Sequence, residues 1–459
     1  MNRLKYSYIV LIFLLFSLAC FSQINDIQFV SEKIQNDYPG FYDKTNILQY
    51  RSLVDSLIKV GKNDTFQIIS NIAFSFNDQH LRIVGANKPY QDSTFYRIQK
   101  NKIETNLKST KKKNSLEGFW MDDDHESVIG IVKDSDSRYL MYVMEVSTGN
   151  LIPGQLKGIL VNTKDNDWIS PMYTNSTGKM TSLTVKIRND TIFTVGGVNK
   201  WRKLNIFNDG LIYKYKAYTS NVQGKVLSKK TYLITIPSCS EKNVIQIDSL
   251  IKFDYELIKK SENLIIDIRG NNGGKSRIYS NILPLVYTGP YLNISSSVFC
   301  SPDGISNEKQ ILENLLINKY DSSYIEVYKK LIKEMEDSLG RFIYHAPDTI
   351  KYDSILSNPK NIGIIMDYGS QSAAEMLVLM CRHSTKVCLF GENTIGALDY
   401  LSFYTIDCPS GKYHLYMPLT KRYITCKHDK LDGIGIRPDL VISDTVKDWV
   451  EYVRNYYEK

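Results

Sequence analysis

Cysteine and histidine are scarce in this chain of 459 residues, which has seven cysteines and six histidines. No two cysteines form a C-x-x-C pair, and no spacing suits a zinc site. The six cysteines after Cys20 are too sparse for a fold that depends on disulfides, so we expect most of them to be small buried hydrophobic residues. If one pair does form, we expect Cys408 and Cys426, which flank a Pro-Ser-Gly turn, to meet across neighbouring strands.

The chain also lacks a strong excess of one charge. After residue 22 it has no apolar run long enough to span a membrane. Its composition is 43% hydrophobic, 12% aromatic and 23% charged, which excludes wholesale disorder and a coiled-coil rod. The net charge of +8 is scattered along the chain, so nucleic acid is not an expected partner. At about 150 residues per domain, the length suits about three globular domains.

Residues 1–22 have the pattern of a secretory signal peptide. Two basic residues precede an apolar run from Ile9 to Ala19 that is short for a membrane span, and cleavage after Ser22 fits the small-residue rule. We therefore expect export to the periplasm or cell envelope. A lipid anchor on Cys20 is the alternative, and it fits less well because Ser17 makes a poor lipobox.

The spacing of apolar residues divides the rest of the chain into three regions. Between 23 and 89, apolar residues recur at steps of three and four, which predicts a helical domain that closes in a short strand. Between 90 and 225, alternation and turn residues predict a β-rich barrel or sandwich module. From 226 to 459, apolar strands alternate with helices, which predicts a largely parallel, covered sheet. A charged helical insertion at 301–359 is expected to cover the loops of that sheet. The predicted fold class is therefore multidomain α/β.

One segment that could take part in catalysis or binding is NLIIDIRGNNGGKS, residues 263–276, in which a strand runs into a glycine-rich turn and then a helix. Such a turn exposes backbone amides. A phosphate-binding P-loop is disfavoured because Arg269 stands where that loop needs a glycine. Two interpretations stay open: a tight turn that needs glycine only for its backbone angles, and an oxyanion hole, which we favour.

A second segment is NIGIIMDYGSQSAAE, residues 361–375. An apolar strand stops at Asp367, and Ser372 lies where Ala-Ala-Glu opens an apolar helix. The positive end of the helix and the small neighbouring residues favour a reachable, activated hydroxyl. Taken alone, the segment is better explained by an N-cap serine with no further role.

Four motifs in a fixed order strengthen the catalytic interpretation: IIDIRGNNGG, SAAE, FGENTIG and LDGIGIRPDL. Together they resemble the C-terminal processing (tail-specific) proteases and the tricorn protease core, over residues 231–443, with a further echo in FNDQH. The resemblance implies a crotonase-like α/β catalytic core that hydrolyses peptide bonds. It also implies that Ser372, rather than Ser370, is the nucleophile, with an oxyanion hole formed by the amides of Ala373 and of Gly273 or Gly274.

The sequence departs from the family at the general base. In the Ser-Lys branch of the family a lysine follows the T-x-G glycine, whereas here Ala397 follows it. The tricorn-like branch instead uses a histidine from a D-x-H segment ahead of the core, and NDQH supplies His80. Asp432 then stands at the position of the family's C-terminal acid and is expected to orient His80, with Asp78 as the competing partner. The other five histidines are interpreted as structural or solvated.

These observations predict a secreted serine peptidase that acts on peptides or unfolded proteins. We expect no cofactor and no metal, because no ligand constellation stands out. The main alternative is a catalytically inactive homologue that binds peptides or glycans on the same scaffold, since the missing lysine and the shorter acid fit such a protein. An esterase would share the same nucleophile. No PDZ signature is evident between Tyr90 and Tyr218, so specificity for protein tails is not assumed.

Overall fold

The architecture is taken from a computed structural model. It describes residues 26–60, 65–87, 93–109, 116–122, 126–135, 137–147, 151–162, 168–174, 179–189, 192–195, 199–204, 221–423, 430–443, 446 and 448–459. The predicted signal peptide and Cys426 lie outside these residues, so export and the Cys408–Cys426 pairing stay predictions. No helix in the described part of the chain combines the length and the apolar character that crossing a membrane requires.

The amino-terminal region is helical, as its apolar spacing predicts. The helices pack through buried apolar side chains such as Ile34 and Ile72, which belong to one core with Leu415 and Met417 far along the chain. The region then leads into strand β1 (Arg82–Asn87). Its helices are α1 (26–37), α2 (Phe41–Lys44), α3 (Ile47–Val60) and α4 (Thr65–Phe74).

The middle region is a closed antiparallel barrel. Its strands follow the order β8-β9-β2-β3-β4-β5-β6-β7, and β7 pairs again with β8, which closes the ring. Trp120, Phe193 and Trp201 are buried inside it, with the last two rings stacked at 6.0 Å. The strands are β2 (Gly118–Asp122), β3 (Ser127–Ser135), β4 (Arg138–Val146), β5 (Leu156–Asn162), β6 (Trp168–Tyr173), β7 (Lys179–Asn189), β8 (Ile192–Val195) and β9 (Asn199–Leu204).

Helix α5 (Ser93–Ser109) precedes the barrel, in a region where the sequence predicted only strands. It packs against β3 and β4 through Ile103 and Leu107, which share a small core with Val128 and Met144. The helix therefore covers one outer face of the barrel.

The carboxyl-terminal half holds a mainly parallel sheet, which confirms the prediction from its apolar strands. The order is β10-β11-β12-β17-β18-β21, and all neighbours are parallel except the edge strand β10. The strands are β10 (Gln223–Val226), β11 (Thr231–Thr235), β12 (Asn263–Asp267), β17 (Asn361–Met366), β18 (Val387–Gly391) and β21 (Leu440–Val441).

Helices cover both faces of this sheet because its strands are apolar on both sides. In β12, Leu264 and Ile266 face one core with helices α6 (Glu241–Lys260) and α10 (Ala373–Cys381). Ile265 points to the other core, which contains Trp449 and Val453 of α11 (Trp449–Glu458). Since β12 and β17 are parallel neighbours, the two turns that follow them emerge at the same edge of the sheet.

A second set of elements joins this half to the rest of the molecule. Strand β20 pairs with β1, Arg82 opposite Tyr416, and β1 pairs in turn with β7 of the barrel. One sheet therefore runs through all three regions. The remaining elements are α7 (Leu283–Val286), β13 (Tyr291–Leu292), β14 (Ser296–Phe299), α8 (Pro302–Ile317), α9 (Ser322–Asp337), β15 (Phe342–Tyr344), β16 (Thr349–Ile350), β19 (Tyr400–Asp407) and β20 (His414–Arg422).

Candidate active site

Ser372 lies at the N-cap of α10, in the turn after β17. Its backbone angles are φ 54° and ψ −114°, a left-handed φ that is uncommon for a residue with a side chain. Strain of this kind costs of the order of 1–3 kcal/mol and is concentrated at functional sites. The serine is half-buried, whereas Ser370, two residues before it, is fully buried and donates its hydroxyl to the Ile268 carbonyl at 3.0 Å. Of the two serines, Ser372 is the accessible one.

Glu375 fixes the backbone around this serine. Its fully buried carboxylate accepts from the Ser372 amide at 2.9 Å and from the amides of Gly396 and Ala397 at 2.8 and 2.9 Å. The Thr394 hydroxyl donates to it as well. Burial raises the pKa of Glu375, and these hydrogen bonds act in the opposite direction. Glu375 is not among the site residues predicted from the sequence, although a glutamate three residues after an N-cap serine is the signature of a capping box.

The glycine turn after β12 lies directly against Ser372. Gly273 has φ 85°, and a Cβ on it would come within 2.8 Å of Ser372 Cβ and 3.0 Å of the Ala373 nitrogen. Asn271 holds the turn, because its side-chain oxygen accepts from the Gly273 amide at 3.0 Å. The Gly273 amide is therefore already hydrogen-bonded to Asn271.

Two other backbone amides beside Ser372 are available to donate a hydrogen bond. Within the described part of the chain, no acceptor is recorded for the amide of Ala373, the first residue of α10, or for that of Gly274. Gly274 is exposed and has φ 133°. Of the two glycines named from the sequence, Gly274 is therefore the one with an available donor.

His80 lies between α4 and β1, with 8% of its surface exposed. Its ring stacks on Phe403 at 5.8 Å, and its Nδ1 is buried without a hydrogen-bond partner. Burial lowers the pKa of His80; the Asp78 carboxylate opposes this shift, the Arg82 charge adds to it, and a backbone hydrogen bond with Tyr400 opposes it. The net effect favours the neutral imidazole.

The two acids considered as partners of His80 have different surroundings. Asp78 accepts from the backbone amide of His80 at 2.8 Å, and the same oxygen lies 3.9 Å from His80 Nδ1. Its second oxygen accepts from the Tyr38 hydroxyl at 2.8 Å. Asp432 instead accepts from Lys44 Nζ at 2.8 Å and from the Asp399 amide at 3.0 Å. Asp78 is therefore the acid next to the imidazole.

The pKa of Asp432 is shifted even though this residue does not contact His80 through a hydrogen bond. Burial and the nearby Asp78 carboxylate raise the pKa of Asp432 to about 7, and the Lys44 charge opposes that shift. Lys44 also donates to the Phe76 carbonyl at 2.8 Å, so a single ammonium joins the loop that leads to His80 and the loop that holds Asp432.

The loop after β18 connects the residues around Ser372 with the residues around His80. On one side its Gly396 and Ala397 amides bond Glu375, and on the other its Asp399 amide bonds Asp432. No hydrogen bond between the Ser372 hydroxyl and the His80 ring occurs among the described residues. The structure thus brings Ser372 together with the glycine turn, and it brings His80 together with Asp78.

The described residues contain no group of three or more histidine, cysteine, aspartate or glutamate side chains that could hold a metal ion. Of the histidines interpreted as structural, His383 stacks on Tyr291 at 4.9 Å and His414 bonds Asp407 at 2.7 Å. His125 and His428 lie outside the described residues.

The model of the family described as peptidase family S41 matches residues 230–442, which contain Ser372, both glycines and Asp432. Residues 230–442 belong to peptidase family S41. The protein is accordingly a serine-type peptidase, which is a hydrolase. This S41 segment holds all four ordered motifs, whereas His80 precedes it.

Solved structures similar to the chain include mature CPAF, with 13% identity, a TM-score of 0.47 and coverage of 92% of this chain and 93% of that one. The photosystem II D1 C-terminal processing protease has 11% identity and a TM-score of 0.40, with coverage of 92% and 93%. The tricorn protease has 11% identity and a TM-score of 0.37, with coverage of 92% of this chain and 34% of that one. No curated protein sequence matches the chain.

Proposed function

We propose that the protein hydrolyses peptide bonds with Ser372 as nucleophile, His80 as general base, and the amides of Ala373 and Gly274 as oxyanion hole. One observation carries the proposal: the backbone of Gly273 packs against Ser372 Cβ and the Ala373 amide, beside two backbone donors that have no other recorded acceptor. Paired amides next to a nucleophile are the arrangement that stabilises the oxyanion in acyl transfer.

In the proposed mechanism Ser372 Oγ attacks the carbonyl carbon of the scissile bond while its proton passes to His80. The carbonyl oxygen becomes an oxyanion and accepts hydrogen bonds from the Ala373 and Gly274 amides. The C–N bond then breaks as His80 returns the proton to the leaving amine. Water attacks the acyl-enzyme in the same way, with His80 again taking and returning the proton, which releases the second product and restores the serine.

His80 has to be neutral to accept a proton. Its burial and the neighbouring Arg82 charge, both of which lower its pKa, support this role at neutral pH. A rotation that shortens the 3.9 Å separation from Asp78 Oδ1 would let that carboxylate orient the imidazole. In this proposal Asp78 is the orienting acid, and Asp432 contributes through Lys44, which holds the His80 loop against the core.

The proposed substrates are peptides or unfolded proteins, in keeping with the family. The pattern of residues 1–22 supports export to the periplasm or cell envelope. We also assign a crotonase-like fold to the catalytic core, supported by its covered, mainly parallel sheet.

The test is covalent labelling of the purified protein with a fluorophosphonate, which reacts with activated serines. Ser372→Ala should abolish labelling and peptide hydrolysis. Ser370→Ala is the matched control, because Ser370 is buried two residues away and should leave labelling in place. Equal thermal unfolding temperatures for wild type and Ser372→Ala would show that the fold is retained. Labelling that persists in Ser372→Ala and disappears in Ser370→Ala would overturn the proposal.

A further inference from the structure

Tyr38 directly follows helix α1 and lies in the core that the amino-terminal helices share with β19 and β20. Only 3% of its surface is exposed. Its hydroxyl donates to Oδ2 of Asp78 at 2.8 Å, across 40 positions of the chain. No other acceptor for this hydroxyl is recorded within the described part of the chain. The hydroxyl of Tyr38 therefore bonds one carboxylate alone.

Asp78 depends on two donors for its orientation. Its side chain is 1% exposed, and no lysine or arginine of the described residues forms an ion pair with it. Oδ1 accepts from the His80 amide at 2.8 Å and is the oxygen that lies 3.9 Å from His80 Nδ1. A single hydrogen bond would leave the carboxylate free to turn, whereas two donors on different oxygens fix its plane. The Tyr38 hydroxyl is the second of these donors.

The ring of Tyr38 also contacts the second segment that holds His80. It packs on the ring of Tyr400 with the ring centres 5.3 Å apart, and the backbone of Tyr400 makes a hydrogen bond with His80. On the loop that leads to His80, it meets Phe76 edge-on at 5.1 Å, two residues before Asp78. Tyr38 is therefore in contact with both segments that surround the imidazole.

Gly40, in the turn between α1 and α2, leaves the space that the Tyr38 phenol occupies. A Cβ on Gly40 would come within 2.6 Å of Tyr38 Cζ and Oη and within 2.7 Å of Tyr400 Cζ. The φ of Gly40 is −94°, which residues with a side chain also adopt, so the glycine is needed for space and not for its backbone angles. The hydrogen bond and this close approach are independent observations that place the phenol beside Asp78.

We propose that Tyr38 is a positioning residue for hydrolysis, whose hydroxyl holds Asp78 in the orientation that aligns the His80 ring for proton transfer from Ser372. The inference rests on the proposed function, in which His80 is the general base and Asp78 its orienting acid. Because Tyr38 donates to Asp78 alone, its effect on the rate should pass through that carboxylate. Burial and the Asp78 charge raise the pKa of Tyr38, so the phenol remains a donor well above neutral pH.

The first test compares two buried hydroxyls of the same core. Tyr38→Phe removes the hydroxyl and keeps the ring. Tyr50→Phe is the matched control, because Tyr50 is 1% exposed, belongs to the same core and donates its hydroxyl to the Ser31 carbonyl at 3.0 Å. Steady-state kinetics use fluorescently labelled, unfolded casein, and urea unfolding shows whether the two variants lose similar stability.

We expect Tyr38→Phe to lower kcat about tenfold with KM unchanged, since the hydroxyl acts on proton transfer and not on substrate binding. Tyr50→Phe should keep the wild-type kcat. Gly40→Ala leaves Tyr38 and Asp78 chemically intact but displaces the hydroxyl, so its kcat should fall in the same way. A wild-type kcat in both Tyr38→Phe and Gly40→Ala, or an equal fall in Tyr38→Phe and Tyr50→Phe, would overturn the inference.

A double-mutant cycle then tests whether Tyr38 acts through Asp78. The kcat of Asp78→Ala should not fall further when Tyr38→Phe is added, because the hydroxyl has no carboxylate left to hold. A residue that acts only through general packing would instead lower kcat by the same factor with and without Asp78. Equal factors in the two backgrounds would therefore contradict the inference.

His80→Ala separates a failure of this inference from a failure of the proposed function. If His80→Ala keeps the wild-type kcat, His80 is not the general base and both proposals are wrong. If His80→Ala loses the rate while Tyr38→Phe keeps it, the proposed function stands and the role of Tyr38 is wrong. Loss of the rate in both variants, with the cycle non-additive, supports the inference.

Discussion

At the scale of single residues, the site depends on how burial changes ordinary side chains. His80 is nearly inaccessible, and the cost of charging an imidazole away from water lowers its pKa. The same burial raises the pKa of Glu375 and of Asp432, because a carboxyl group is charged when deprotonated. Burial therefore shifts the pKa of the imidazole and the pKa values of the two carboxyl groups in opposite directions.

The pKa of His80 makes a prediction about the pH dependence of hydrolysis. If His80 is the general base as proposed, its imidazole must be neutral, so kcat/KM should fall as the pH drops through the pKa of His80. Since that pKa lies below the ordinary 6.5, the acidic limb of the pH–rate profile should have its midpoint below 6.5. His80→Ala should lose this limb together with about 10²- to 10⁴-fold of the rate. A limb of unchanged midpoint in His80→Ala would place the base elsewhere.

At the scale of secondary-structure elements, the important contact is between the turn after β12 and the start of α10. Parallel neighbouring strands deliver both turns to one edge of the sheet, and the absence of a side chain at Gly273 lets them touch. Gly270, in the same turn, has φ 69°, but a Cβ there would meet nothing within 4 Å. Gly270 is therefore needed only for its backbone angles, whereas Gly273 is also needed because a side chain there would collide with Ser372.

We therefore expect Gly273→Ala and Gly270→Ala to behave differently. Both place a side chain at positive φ, which costs about 1–2 kcal/mol in the free energy of unfolding. Only Gly273→Ala also pushes against Ser372, so it should lower kcat by about 10²-fold or more, the size of effect seen when an oxyanion donor is lost. Denaturant unfolding and steady-state kinetics on the two variants check this. Similar kinetics for both would show that the close approach is not needed for catalysis.

At the scale of the whole molecule, the amino-terminal helices contact the candidate site of the carboxyl-terminal half. Lys44 of α2 bonds Asp432, 388 residues further along the chain, and the Phe76 carbonyl just before the NDQH segment. Strand β1 pairs with β20 next to it. His80, the proposed general base, is therefore held by contacts between regions that the sequence presents as separate.

Lys44→Met should destabilise the protein by about 3 kcal/mol, because it leaves the buried Asp432 carboxylate without its cation. It should also lower kcat, since the loop that carries His80 loses its attachment. Adding Asp432→Asn should recover part of the lost stability, so that the double variant is less destabilised than the sum of the single ones. Lys59→Met, at an exposed position of α3, is the control. The free energies of unfolding are measured with urea. If the losses in the two single variants simply add up in the double variant, the Lys44–Asp432 ion pair does not stabilise the protein.

Local sequence patterns predicted the helices on either side of the middle region, the apolar parallel strands, the β-rich middle region, and a serine and a glycine turn at strand ends. These follow from the periodicity and backbone freedom of residues that are neighbours in the chain. They did not predict that the middle strands close into a barrel, that the Gly273 amide donates to Asn271, or that Lys44 pairs with Asp432. These contacts depend on tertiary structure, because packing determines which distant groups come within hydrogen-bonding distance.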